Sequence, residues 1–307
     1  MVKQKSMLKV IFIAGTGRCG STLLDSTLAS IPGVFSAGEF RFLWKRGILE
    51  NRLCGTGEPF AKNETWNRIV EKLYGAEKHS KSLYFERMEA DLRIRRMMGL
   101  KTPSKQNQLR QDVQAYANEL KKCLHTTADE FNTNIIIDSS KKPMHGFALS
   151  QIDDIDLRII HLIRDRKAVV HSWNTSKYDK SKGGMMNTQS VKKASIEWVL
   201  INRWIERYLD TGKHPYMKIF YSEFTKNPSL VLGNILRFIG EDHENNIIDE
   251  NNSFKPVPSP TISGNPMRFT KGKIIIKEDK RWLSDMSFLN KLKSDLYSTA
   301  AHLSFFL

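Results

Sequence analysis

Cysteine is scarce in this chain: Cys19, Cys54 and Cys123 are the only three among 307 residues. Their wide spacing and odd number speak against a disulfide framework and suit a reducing compartment. Cys54 has no second thiol at C-x-C or C-x-x-C spacing, because Thr56 and Gly57 stand there. Zinc is therefore not expected, and a buried thiol is. Long apolar runs are missing as well. The first, Val10 to Ala14, is short, follows Lys9 and leads straight into glycines. That fits neither a signal peptide nor a membrane span, and the cytoplasm is the expected location. No internal repeat, low-complexity tract or linker divides the sequence, so one domain over residues 1–307 is expected. Acid is in deficit, with 33 Asp and Glu against 48 Lys and Arg, a net charge of +15. Nucleic acid, a membrane surface, a polyanionic small ligand or a solvated basic surface would each fit, since the cations are spread along the chain without a long arm.

What is present is organised around Lys9 to Glu39, KVIFIAGTGRCGSTLLDSTLASIPGVFSAGE. Val10 to Ala14 has the length and β-branched content of a buried strand. Gly15, Gly17 and Gly20 allow a tight loop of converging N–H groups. A helix follows, with Leu23, Leu24, Thr27, Leu28 and Ile31 on one face and Pro32-Gly33 as its stop. Strand, glycine loop and helix N-terminus together make an anion site, or else an ordinary glycine turn before a helix. Against the G-x-x-x-x-G-K-[ST] pattern, the loop has Ser21 in place of the lysine and carries its charge at Arg18. That lysine serves the β/γ-phosphates in nucleotide hydrolysis, so its absence argues against a kinase or NTPase.

Further strands are expected at 34–37, 135–137, 158–163 and 217–220, alternating with helices over most of 61–132, 191–209 and the stretch after Tyr221. This alternation predicts an α/β fold: a central parallel sheet of about five strands with helices on both faces. Glu39, Asp138 to Pro143 and Arg164 all follow strands, where such sheets bind ligands, although Asp138 to Pro143 also reads as a capping turn. Tyr178 to Gln189 is a candidate mobile loop, and Lys101-Thr102-Pro103 reads as a loop. Between 252 and 272, four prolines and two glycines break all periodicity. That segment is either a functional loop or a surface excursion. The last residues read as helical and basic.

Several stretches resemble sulfotransferases that use 3′-phosphoadenosine 5′-phosphosulfate (PAPS), in order along nearly the whole chain. The glycine loop is similar to their phosphosulfate loop. Residues 161–173, HLIRDRKAVVHSW, resemble their 3′-phosphate motif, and Tyr221 to Pro228 resembles their Tyr-Glu-Asp…Asn-Pro segment, with Ser222-Glu223 replacing the acidic pair. Gly264-Asn265-Pro266-Met267-Arg268 is similar to a signature of bacterial members. Pro260 and Thr261 stand where some members carry a histidine, so no histidine base is expected there. Lys141-Lys142-Pro143 and Gly38-Glu39 resemble the Lys-x-Pro and Gly-Glu of the tyrosyl-protein branch.

The resemblance implies a P-loop-like fold and sulfuryl transfer to a small-molecule or glycan acceptor. Gly17, Arg18, Cys19, Gly20, Ser21 and Thr22 would hold the 5′-phosphosulfate. Arg164 and Ser172 would hold the 3′-phosphate, Tyr221 would lie against the adenine, and Arg268 would add a cation. Glu39 would be the base, with Arg18 and Lys141 neutralising charge in the transfer. Neither a metal, a nucleic-acid partner nor a membrane span is implied. The alternatives are a small-molecule kinase and a non-catalytic polyanion-binding domain. The acceptor pocket is expected among residues 40–104, 178–190 and 252–272.

Overall fold

The computed structural model describes residues 7–91, 103–241 and 247–306. Its central sheet has five strands: β1 (Leu8–Gly15), β2 (Val34–Gly38), β3 (Ile135–Lys141), β4 (Ile155–Ile163) and β5 (Tyr216–Phe220). They lie in the order β2-β3-β1-β4-β5, and every pair is parallel. The fold is thus the α/β class that the alternation predicts. The helices that position the site are α1 (Ser21–Leu28), α2 (Lys78–Asp91), α3 (Pro103–Glu130), α4 (Pro143–Leu149), α5 (Arg166–Asn174), α6 (Val191–Tyr208) and α7 (Pro228–Ile239).

The strands are apolar on both faces because helices cover both. Val10, Phe12 and Ala14 of β1 point into a core shared with Val113, Tyr116 and Leu120 of α3, Leu149 of α4 and Ile201 and Ile205 of α6. Ile11 and Ile13 point the other way, against Leu23, Leu24 and Leu28 of α1 and Leu232, Ile235 and Ile239 of α7. The period of two along β1 thus divides the core between the two layers.

Two strands are irregular at the carboxyl edge. In β3 the register slips between the Phe12–Asp138 and Ala14–Lys141 pairs, leaving one extra residue in β3. In β2 it slips between the Ser36–Ile137 and Gly38–Asp138 pairs, leaving one extra residue there. Such bulges re-aim the side chains that follow. Here those side chains are Lys141 and Glu39. The strand therefore runs through Asp138 to Lys141, where a capping turn was the other reading, and α4 starts only at Pro143.

The segment 252–272 is no surface excursion. Ile262 N–H donates to the Ala37 carbonyl (2.9 Å) and Glu39 N–H to the Ser263 carbonyl (3.1 Å), so it lies along the edge of β2. Between that segment and the helical last residues the chain is extended or irregular. Ile274–Ile275 pairs antiparallel with Ser253–Phe254, and helix resumes at Trp282–Asp285 and Phe288–Phe306. Within 178–189 a small hairpin joins Tyr178–Asp179 to Gly184–Met185. Lys101 and Thr102 of the expected loop lie outside the described residues, and Pro103 begins α3. Among the described residues, no helix is long and apolar enough to cross a membrane.

Candidate active site

A cavity of about 560 Å³ opens at the carboxyl edge of the sheet, around the end of β1. The chain there turns from strands on one side of β1 to strands on the other, which is where open α/β sheets take ligands. The volume is within the range of small-molecule sites, roughly 300–1,000 Å³. Nine Lys and Arg side chains line it against three carboxylates, Glu39, Glu197 and Asp279. The field inside favours an anion.

The glycine loop forms the floor. Gly20 has φ 98°, the left-handed region that glycine enters freely, and a Cβ there would meet the Tyr221 ring at 2.5 Å. Gly17 lies equally close under Trp173. No side chain caps α1 at Gly20, so its first turn presents N–H groups and the positive end of the helix dipole to the cavity. Ser21 and Thr22 line the cavity at that turn. The Arg18 guanidinium lies 4.8 Å from the Trp173 ring, and its Nη1 donates to Met186 Sδ at 3.4 Å. Its buried Nε has no hydrogen-bond partner, and burial lowers its pKa.

The second cationic wall begins where β4 ends. Asp165 Oδ1 accepts from Ala168 N–H (2.9 Å) and starts α5, which carries Ser172 and Trp173. Arg164 is 8% exposed and lies 4.8 Å from the Tyr221 ring. It donates to the Arg18 carbonyl (3.1 Å) and forms an ion pair with Asp279 (3.4 Å), while its Nε is buried without a partner. Arg164, Ser172 and Tyr221 all line the same cavity as Arg18.

Glu39 and Lys141 meet on the third side, with Lys141 Nζ donating to Glu39 Oε1 at 2.8 Å. Burial works against the Glu39 charge, but Lys141, Arg46 and Arg41 outweigh it and hold the carboxyl down at about 2. Arg18 and Lys141 both adopt left-handed backbone, φ 69° and 67°, which costs a non-glycine residue roughly 1–3 kcal/mol. A buried network sets the turn after Glu39. Asp138 Oδ1 accepts from Phe40 N–H (3.3 Å), and Ser140 Oγ accepts from Arg41 N–H (3.0 Å). His145 Nε2 lies 2.6 Å from the other oxygen of Asp138.

Two expected residues are not brought into the cavity. Cys19 is fully buried in the core behind the loop, and its N–H donates to the Thr16 carbonyl (3.3 Å). Arg268 does not line the cavity but lies beside it, lining a smaller neighbouring pocket with Thr22 and Gly264, and donates to the carbonyls of Leu53 (2.9 Å) and Thr261 (3.4 Å). In its place Gly264, Asn265 and Met267 reach the cavity, and Asn265 N–H donates to Thr22 Oγ1 (3.2 Å). Sequence reasoning missed Arg41, Arg46, Lys142, Trp173 and Asp279. Trp173 sits inside the 161–173 motif, and the Arg41–Arg46 stretch follows Glu39 directly, so proximity to those signals could have found three of them. Among the described residues, no group of three or more His, Cys, Asp or Glu is placed to hold a metal.

A family model described as the sulfotransferase family matches residues 10–245. The chain belongs to the sulfotransferase family. The match spans every element of the site up to α7. Solved structures similar to this family member include the sulfotransferase domain of the Synechococcus PCC 7002 olefin synthase, at 19% identity and TM-score 0.43, covering 96% of this chain and 94% of that one. The sulfotransferase domain from the curacin biosynthetic pathway is 16% identical with TM-score 0.48, covering 95% and 96%. The sulfotransferase STF9 from Mycobacterium avium is 16% identical with TM-score 0.44, covering 77% and 64%. No curated protein matches this family member.

Proposed function

We propose that this protein is a PAPS-dependent sulfotransferase acting on a hydroxyl, or a nitrogen, of a small-molecule or glycan acceptor. One observation carries the reading. Two anion sites of different construction, the uncapped α1 N-terminus with Arg18 and the Arg164–Ser172 pair, line one cavity. PAPS carries its charge in two separated places, the 5′-phosphosulfate and the 3′-phosphate. The buried, unpartnered Nε atoms of Arg18 and Arg164 fit such a ligand, because buried donors ordinarily have acceptors. When bound, the donor supplies the sulfuryl group and a bisphosphate leaving group.

The chain's own residues then divide the work. The first-turn N–H groups of α1 and Arg18 orient the phosphosulfate end, and Arg164 and Ser172 fix the other. Arg18 and Lys141 neutralise negative charge that grows in the transfer. Glu39 takes the acceptor's proton at a carboxylate oxygen. At a pKa of about 2 it is a weak acceptor while Lys141 holds it. An anion that draws Lys141 away makes Glu39 a stronger base, so donor binding and base activation are coupled through one ammonium group. The test is incubation with labelled PAPS and a panel of hydroxyl and amine acceptors, reading product masses for an added SO₃. Transfer to none of them, with no donor bound, removes the reading.

A further inference from the structure

Beside the donor cavity lies a second chamber, also of about 560 Å³. It is bounded by Arg41 to Arg52, by Glu86 to Ala90 of α2 and by Pro143 to His145 of α4. The two spaces share Arg41, Phe42, Arg46, Lys142 and Glu197 as walls. The second chamber therefore lies next to the donor cavity, which Glu39 lines.

The shared wall is built around Phe42. The Arg41 guanidinium lies 3.7 Å from the ring centroid and that of Arg46 lies 3.5 Å from it. At such distances both cannot occupy one face, so the ring is held between two cations. The stack rests on a π-helical turn, Leu43–Leu49, which carries Arg46. Such turns are rare and occur often at functional sites.

The charges on this wall are unequally matched. Arg41 pairs with Glu89 at 2.5 Å and Lys45 with Glu86 at 2.6 Å, so the carboxylates from α2 are taken up. Glu197 accepts from Gln189 Nε2 (3.1 Å). Among the described residues, no carboxylate comes within ion-pair distance of Arg46 or Lys142. Glu39 and Glu197 act on them only from farther off. Arg46 donates to the Ser263 hydroxyl. Arg46 and Lys142 are half-buried, desolvation lowers the pKa of both, and a partly desolvated cation without a counter-ion is costly. An anionic ligand offsets that cost.

We propose that the acceptor carries a carboxylate, phosphate or sulfate besides the group that is sulfated, and that Arg46 and Lys142 hold this anion in the second chamber. The proposal rests on the donor reading above. The same chemistry has a second possible source, the sulfuryl group of the donor itself, and the test separates the two. With the protein saturated in 3′-phosphoadenosine 5′-phosphate (PAP), benzoate, phenyl phosphate and phenyl sulfate are titrated by calorimetry, with phenol as the uncharged control.

At least one anion binds and phenol does not. Arg46→Gln and Lys142→Gln each weaken that binding roughly tenfold or more, the worth of a charge-assisted hydrogen bond. PAP affinity and melting temperature, measured on both variants, stay within about twofold and a few degrees. Two variants guard against one that fails to fold. No anion binding, or binding equal in wild type and both variants, overturns the proposal. Variants that weaken PAPS but not PAP assign the two cations to the donor's sulfuryl group and overturn it too. A protein that binds the anions in an Arg46-dependent way but never binds PAP keeps this inference and removes the donor reading.

Discussion

Two carboxylates, half-buried Glu39 and buried Asp25, flank the carboxyl end of β2 and are held in opposite states. Glu39 sits among Lys141, Arg46 and Arg41, and its carboxyl is held down at about 2. Asp25 sits among hydroxyls, accepting from Ser36 Oγ (2.5 Å) and Ser139 Oγ (2.6 Å). Burial pushes it up to about 6 against those two bonds. Hydroxyls satisfy a carboxylate's lone pairs but offset only part of its desolvation, whereas nearby cations reverse it. Proton affinity alone would favour Asp25 as a base. Position favours Glu39 instead, because Glu39 lines the cavity at the sheet edge and Asp25 does not. Environments that push two carboxylates apart assign them different tasks.

The largest expected effect falls on Glu39. Glu39→Gln keeps the side-chain shape and removes the proton acceptor, so turnover drops roughly 10²–10⁴-fold. PAP affinity stays nearly unchanged, because Glu39 is not assigned to either phosphate. Near-normal turnover with an identified acceptor would remove Glu39 from the mechanism. Lost PAP binding or a lowered melting temperature would make it a structural partner of the surrounding cations.

Asp25 gives the complementary result. Its folded pKa, about 6, lies above the ordinary aspartate value of 3.8. The stability this group contributes is therefore complete below 3.8 and is lost as pH rises through about 6, a change of about 3 kcal/mol. Asp25→Asn lacks that loss. Urea unfolding of both proteins between about pH 4 and 7 should show the difference in stability moving by about that amount toward the variant as pH rises. A constant difference would mean that Asp25 ionises normally.

A third change joins the two carboxylates. Lys141→Met leaves Glu39 with fewer cations, so its pKa rises. The acidic limb of the pH–rate profile should move upward by roughly 1–2 units even though the rate is lower. An unmoved limb would show that Lys141 does not set the charge of Glu39.

The sequence exposed some of this arrangement and hid the rest, for a physical reason. An anion site made from a strand, a glycine loop and a helix N-terminus is local, so Gly15 to Thr22 could be read directly. Arg164 and Ser172 were legible for the same reason, since a strand end and the next helix are adjacent in the chain. The five strands followed from alternation of apolar runs with helical periodicity. The wall around Phe42 depends on a π-helical turn and two bulges, which no residue pattern marked. The place of Arg268 beside the cavity was not legible, because its loop takes its direction from backbone pairing with Gly38 and Glu39. Asp279 was missed because it meets Arg164 only through a long-range contact between distant parts of the chain, which no local pattern marks.

The central claim is that two anion sites in one cavity hold a single doubly charged donor. Its most direct test is the binding of PAP, without added metal, to wild type and to Arg164→Ala. At about 100 times its Kd, PAP should contribute about 2.7 kcal/mol of stability and raise the melting temperature of the wild type. Arg164→Ala should fold normally and lose roughly 10- to 150-fold in affinity, the worth of a charge-assisted contact to the 3′-phosphate. Equal melting temperatures of the wild type with and without saturating PAP would contradict the account.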